Sequence, residues 1–335
     1  MIKALLYEKR ENQQVICHLC AHECHLVNEK SGLCHVRKNI NGDLVSLNSD
    51  RVIAMNMDPI EKKPLYHFLP GSRSFSIAAM GCNFSCRFCQ NHSISMVQTE
   101  NDIHGDSVTP EQLVAIALRN HAQSISYTYT EPTVFFELMF ATAKLAHSAG
   151  IKNVLVSNGY MSQQGLSLLR PYLHAANIDL KSFNDDFYKK YCSARLKPVL
   201  QTMAAMKAMG IWMEVTTLLI PGLNDDRKEI LRLVSFLIEL DANIPWHVSR
   251  FFPQHQLLTL PATSIDSIYE VLQIGVDRGL KFLYGGNIAD SYWDDTRCPH
   301  CRKTLIKRSG YNVENIGIKD GNCRFCRTKI SGIWV

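Results

Sequence analysis

The sequence predicts an α/β fold: a partial parallel (β/α) barrel flanked by small cysteine-rich metal modules at its N- and C-terminal ends. Three observations carry this expectation. Apolar or β-branched runs at 75–79, 125–130, 154–157, 178–180, 215–220, 247–252 and 282–284 read as strands. Amphipathic helical segments lie between them, and repeated βα units with right-handed crossovers make a parallel sheet that curls toward a barrel. Seven strands fall short of the eight of a closed barrel. Finally, eleven of the twelve cysteines fall in three tight groups. They divide the chain into an N-terminal module with a β-hairpin (1-71), the barrel (72-290) and a C-terminal zinc-ribbon-like module (291-335).

The elements carry local signals in chain order. In "KNINGDLVSL", Asn41 and Gly42 between alternating apolar residues mark a hairpin. Thr109, Pro110 and Gln112 supply an N-cap, a proline at the first helical position and a capping-box glutamine. Gly150 stops a helix over 133–148 and Gly210 stops the run 203–209. Asn224 is expected to cap a helix running toward Leu240.

Composition narrows the class. With 46% hydrophobic and 20% charged residues, neither disorder nor a membrane class is favoured. The net charge of +5 is spread without a dense basic run, so nucleic-acid binding is not indicated. The start "MIKALLYEKRENQQ" lacks the apolar core of a signal peptide. No uncharged apolar stretch reaches the ~18 residues of a membrane span. Without an export signal, grouped cysteines point to metal ligation rather than disulfides, and a reducing cytoplasm is the expected setting.

Barrel chemistry sits on the loops that follow the strands. In order, those loops carry Cys82, Cys86 and Cys89; Glu131; Asn158 and Gly159; Asp179 and Lys181; Pro221 and Gly222; and His255. The first loop, "GCNFSCRFCQN", places three soft thiolates on one short segment. They can hold three corners of a cubane iron–sulfur cluster and leave the fourth iron open. A zinc site completed by a distant ligand, or a set of reactive thiols, is the alternative.

This loop, with Phe88 before its last cysteine and a strand upstream, resembles that of the radical S-adenosylmethionine (SAM) enzymes. The resemblance implies a [4Fe-4S] cluster on Cys82, Cys86 and Cys89, with the amino and carboxylate groups of SAM on the open iron. It further implies that one electron from the cluster releases methionine and a 5′-deoxyadenosyl radical, which removes hydrogen from a substrate. "TYTEP" stands where the superfamily has Gly-Gly-Glu; only Glu131 keeps that chemistry, as a partner for the SAM amino group. "IDLKSFND", "IPGLND", "VSNGY" and "FFPQHQL" resemble pyruvate formate-lyase activating enzymes. That likeness implies Asp179 and Lys181 facing the SAM ribose and carboxylate, Asn158 in an Asn-Gly turn, and His255 near the nucleoside. The structural alternatives are a helix-start carboxylate, a rim ion pair, a plain turn and a surface histidine.

Two further groups flank the barrel. Cys298, Cys301, Cys323 and Cys326 form two knuckles spaced as in a zinc ribbon, with an auxiliary iron–sulfur cluster as the alternative. Cys17, Cys20, Cys24 and Cys34, interleaved with His18, His22, His25 and His35, suit either zinc or a second iron–sulfur cluster. Cys192 stands alone and reads as a buried small hydrophobe. With "EKKPLYHFLPGS" and "PWHVSRFFP", these segments resemble the AmmeMemoRadiSam-system radical SAM enzymes, relatives of the pyruvate formate-lyase activases. The likeness implies AMMECR1-like and Memo-like partner proteins; the expected electron donor is flavodoxin- or ferredoxin-like. The expected function is radical chemistry on a protein, as in glycyl-radical activation, or on a small molecule or other macromolecule. A non-catalytic metal-binding adaptor is the reading from a different class.

Overall fold

The computed structural model describes residues 2–288 and 290–335. Its central sheet has eight strands, β1 (Ala54–Pro59), β2 (Arg73–Ala78), β3 (Ser124–Tyr127), β4 (Lys152–Ser157), β5 (Ala175–Asp179), β6 (Trp212–Leu219), β7 (Trp246–Arg250) and β8 (Leu283–Gly286). They lie side by side in chain order, with β1 and β8 at the two edges, so the barrel is partial. Strands β2 to β8 are parallel and each overlaps one of the seven expected runs, with ends that differ by up to three residues. The structure adds β1, an antiparallel edge strand upstream of residue 72. Its sequence, "AMNMDP", holds a proline that only an edge accommodates, because proline has no N–H for a ladder.

The longer helices between strands are α1 (Pro110–Arg119), α2 (Phe136–Ser148), α3 (Gln163–Leu169), α4 (Leu196–Ala208), α5 (Arg227–Asp241) and α6 (Ile265–Arg278). The capping box at α1 forms as expected: Gln112 N donates to Thr109 Oγ1 at 3.3 Å and Thr109 N donates to Gln112 Oε1 at 2.9 Å. The cap of α5 differs from expectation. Asp226, not Asn224, accepts from Lys228 N and Glu229 N. Asn224 is spent on the loop: it accepts from Ile220 N at 2.6 Å and donates to Lys181 O at 2.6 Å and Leu218 O at 2.8 Å. It therefore ties the loop after β6 to the turn that carries Lys181.

The segment between β1 and β2 fills the end of the barrel where the strands begin. Ile60, Leu65 and Phe68 pack against Val154 and Ala175. Asn177 Nδ2 donates to Pro64 O at 2.8 Å, and fully buried Glu214 accepts from Tyr66 N, His67 N, Trp212 Nε1 and His247 Nε2 at 2.7 to 3.1 Å. Burial pushes the Glu214 carboxyl up, but His247, His67 and the hydrogen bonds outweigh it and hold it below its ordinary range. This accounts physically for "KKPLYHFLPG": its backbone is held by barrel side chains.

His67 also joins the plug to the C-terminal module. Its Nδ1–H donates to Ser331 O at 2.7 Å, which leaves Nε2 to accept from Tyr284 Oη at 2.6 Å. Burial lowers its pKa to about 4. The unfolded chain, with a histidine near 6.5, therefore takes up the proton first as pH falls. The stability His67 contributes is present above pH 6.5 and is lost as pH falls through 4, about 2 kcal/mol by pH 5. A His67→Gln variant should show a urea midpoint that declines less steeply between pH 7 and pH 5 than the parent's.

At the N-terminal end, the expected hairpin forms from Arg37–Ile40 and Asp43–Ser46, turning at Asn41 and Gly42. The module is fastened to α2 by a buried ion pair, Arg37 Nη2 to Glu137 Oε1 at 3.0 Å, with Leu5 N donating to the same oxygen at 2.8 Å. At the other end, Cys298, Leu305, Cys323 and Ile330 form a small core with Phe282 and Tyr284. Among the described residues no helix is long and apolar enough to cross a membrane.

Candidate active site

After β2 the chain turns at Gly81, whose φ of 109° belongs to glycine. A Cβ there would come within 2.8 Å of Val36 Cγ1, so the loop passes directly under the N-terminal module. The three thiols that follow are Cys86, buried, and Cys82 and Cys89, half-buried. Phe84 N donates to Cys82 Sγ at 3.3 Å, and Cys89 Sγ lies 3.2 Å from Ser95 Oγ. Phe84 packs edge-on to Tyr160 and Phe88 against Phe187, which gives the loop an apolar floor. The three sulfurs are not drawn into mutual 4.8 Å contact; among the described residues only the C-terminal quartet is. Three soft donors set around a gap in an apolar shell suit a cubane cluster better than one tetrahedral ion.

Glu131 is buried, and burial pushes its carboxyl above the ordinary range against four hydrogen bonds. Oε1 accepts from Thr133 N at 3.0 Å, Thr133 Oγ1 at 2.5 Å and Ser157 Oγ at 2.8 Å, while Oε2 accepts from Asn158 N at 2.8 Å. The carboxylate thus caps the turn Pro132–Phe135 and pins the loop after β4. Asn158 Nδ2 in turn donates to Asn83 Oδ1 at 2.7 Å and approaches Cys82 Sγ at 3.9 Å. Lys181 Nζ meets Asp179 Oδ2 at 3.0 Å and lies 5.9 Å from the Phe88 ring centre. Burial alone would lower the ammonium, but Asp179, Cys86 and Cys192 outweigh it and hold its pKa well above the usual value. Lys181 is a fixed cation beside the thiols.

All of these residues line one cavity of about 820 Å³ at the C-terminal ends of the strands: Cys82, Cys86, Cys89, Glu131, Asn158, Asp179 and Lys181. His255 is not brought to its wall. It stacks on His92 at 4.5 Å, and His92 Nδ1 lies 3.3 Å from Cys89 O, so His255 packs against the segment that follows Cys89. The C-terminal quartet stands apart from the cavity's thiols, with Cys298 Sγ to Cys326 Sγ at 3.6 Å and Cys301 Sγ to Cys323 Sγ at 3.7 Å. A tetrahedral zinc with Zn–S near 2.3 Å sets sulfurs ~3.8 Å apart. Cys17, Cys20, Cys24 and Cys34 line a second cavity.

Several contributors were not legible in the sequence. Cys192 is fully buried as expected, yet its carbonyl accepts from Ser85 N at 3.1 Å. Its thiol hydrogen-bonds Cys86, which holds that thiol below its ordinary range although burial opposes this. Lys63 is buried at the cavity wall, donates to Asp58 Oδ2 at 2.6 Å and lies 4.4 Å from the Tyr129 ring centre; burial lowers it to about 8. "EKKP" does not mark which lysine turns inward. Gly310 and Tyr311, the tip of the hairpin Thr304–Ser309 and Asn312–Asn315, also line this cavity, so the C-terminal module forms part of its wall.

A parallel α/β sheet with three cysteines on the loop after its first parallel strand defines a class, and the radical SAM superfamily model matches residues 77–234. The chain belongs to that superfamily and is a SAM-dependent radical enzyme, which implies a [4Fe-4S] cluster and SAM. It is 40% identical to the uncharacterized protein MJ0808 of Methanocaldococcus jannaschii over 333 residues, 98% of this chain and 99% of the other. It is 24% identical over 239 residues, 70% of this chain and 87% of the other, to the same organism's "Putative glycyl-radical enzyme activating enzyme MJ1632". Among solved structures, a radical SAM methyltransferase from Sphaerobacter thermophilus shares the fold, with a TM-score of 0.52 and 16% identity over 65% of this chain and 67% of that one.

Proposed function

We propose that Cys82, Cys86 and Cys89 hold the [4Fe-4S] cluster, that SAM occupies the adjoining cavity, and that the substrate is a backbone glycine of a partner protein. The observation that carries this is the meeting of three thiols, a fixed ammonium and a buried carboxylate in one cavity of about 820 Å³. When bound, the reduced cluster supplies one electron that splits SAM into methionine and a 5′-deoxyadenosyl radical. Lys181, held charged, offers its ammonium to the SAM carboxylate, and Asp179 accepts from the ribose hydroxyls. Glu131 has three acceptor contacts on Oε1 and one on Oε2, which leaves Oε2 able to accept one more N–H from the SAM amino group. Phe84 and Phe88, both buried, back the thiols with apolar surface. Replacing Lys181 with alanine should weaken SAM binding about 10- to 100-fold, read by equilibrium titration, without loss of iron.

The glycine substrate is supported by the relative whose name is that of a glycyl-radical enzyme activating enzyme. A flavodoxin- or ferredoxin-like donor would supply the electron, and AMMECR1-like and Memo-like proteins would be partners in modifying a small molecule or another macromolecule. A small-molecule substrate is the second reading, favoured by the polar lining that Glu61, Lys63 and His247 give the cavity. The C-terminal quartet is proposed to hold structural zinc, because its sulfur spacing matches one tetrahedral ion.

Anaerobically reconstituted enzyme with dithionite and SAM should release 5′-deoxyadenosine; a full cluster without that product refutes the reading. With candidate partners present, a persistent glycyl electron paramagnetic resonance (EPR) signal supports protein activation. Turnover without that signal supports the small molecule.

A further inference from the structure

We infer that Cys17, Cys20, Cys24 and Cys34 hold a second [4Fe-4S] cluster, closed by four cysteines and set directly beside the thiols of the active site. The first argument is spacing. The four cysteines line one cavity of about 20 Å³. A zinc ion would draw the sulfurs to the ~3.8 Å spacing of a tetrahedral shell. The C-terminal quartet has that spacing. Among the described residues no three of the N-terminal sulfurs lie mutually within 4.8 Å. The same chain therefore carries one quartet spaced for a single ion and another spaced around a volume.

The second argument is the set of donors facing that volume. Arg37 and Asn83, 2% and 3% exposed, both line it. Arg37 Nε and Asn83 Nδ2 are buried N–H donors without a hydrogen-bond partner. The orientation of Asn83 is fixed, because its Oδ1 accepts from Asn158 Nδ2 at 2.7 Å. A zinc tetrathiolate offers these donors only its four ligand sulfurs, whereas a cubane adds bridging sulfides that accept such N–H groups. The Arg37 guanidinium, held by Glu137 at 3.0 Å, also sets a positive charge beside an anionic cluster.

The position suggests the role. His22 Nε2–H donates to Asn83 O at 2.7 Å, and Ala21 N and Ser162 N exchange hydrogen bonds with Tyr160 O and Leu19 O at 3.0 and 2.9 Å. Asn83 lines the N-terminal cavity and directly follows Cys82, so one residue separates the two thiol sites. A cluster with no open iron takes up one electron from a low-potential flavodoxin- or ferredoxin-type donor. It passes the same electron to the cluster on Cys82, Cys86 and Cys89, and returns to its oxidised state.

The test uses the full chain with Cys82→Ser, Cys86→Ser and Cys89→Ser together, reconstituted anaerobically with iron and sulfide. It should retain about four irons and four sulfides per chain, with a reduced EPR signal that SAM does not alter. A chain with zinc in both outer quartets and no iron overturns the inference. The complementary variant, Cys20→Ser with Cys34→Ser, separates this outcome from failure of the active-site assignment. It should keep a SAM-sensitive cluster and cleave SAM with dithionite, yet lose cleavage several-fold with reduced flavodoxin. Equal rates with both reductants, at parental values, contradict the relay.

Discussion

Replacing Cys86 with alanine is expected to abolish SAM cleavage while leaving the chain folded. The loop backbone does not depend on the thiol: Ser85 N and Arg87 N donate to Cys192 O and Tyr191 O at 3.1 and 2.9 Å, and Phe84 and Phe88 remain packed beneath it. Two thiolates cannot retain a cubane, so iron should fall by about four per chain and 5′-deoxyadenosine should fall to the assay background. Cys192→Ala provides the contrast. That thiol supports Cys86 from outside the ligand set, so its loss should cost about 10- to 100-fold in cluster affinity or activity rather than everything. Equal, complete losses in both variants would make Cys192 a ligand and leave no open iron for SAM.

Replacing Glu131 with alanine should destabilise the fold by about 3 kcal/mol or more, because four buried donors lose their acceptor together. The damage reaches the cluster loop through Asn158, which spans from Glu131 to Asn83 and Cys82. Glu131→Gln should fall between, since its amide must turn a donor toward either Asn158 N–H or the Thr133 group. Urea unfolding and SAM titration together separate the two roles. A carboxylate that only served the SAM amino group would leave the unfolding midpoint unchanged.

The barrel was legible in the sequence because its signals are local; the details of the site depend on contacts between distant residues. Strand runs and caps are local patterns, and the seven parallel strands and the α1 capping box follow from them. Antiparallel β1 was hidden because "AMNMDP" has a weak strand pattern and acquires its role only by pairing with β2. Asn224 and Asp226 both suit a helix start, and the outcome was decided by the demand of Lys181 O and Leu218 O for a donor. In the site, the cysteine spacing marked the thiols directly. Cys192, Lys63 and Tyr311 reach the thiols or the cavity wall from distant parts of the chain, and no spacing records such contacts. The family likeness places His255 near the nucleoside, yet its loop packs on the cysteine loop, where Gln256 N meets Arg87 O, and His255 stacks on His92.

The measurement closest to the central claim is the EPR spectrum of the reduced protein, with Cys20→Ser and Cys34→Ser removing the second site, recorded before and after SAM. A cluster held at three corners by Cys82, Cys86 and Cys89 should change its g-values when the amino and carboxylate groups of SAM take the remaining iron. A spectrum unaltered by saturating SAM would mean that a fourth protein ligand already occupies that iron.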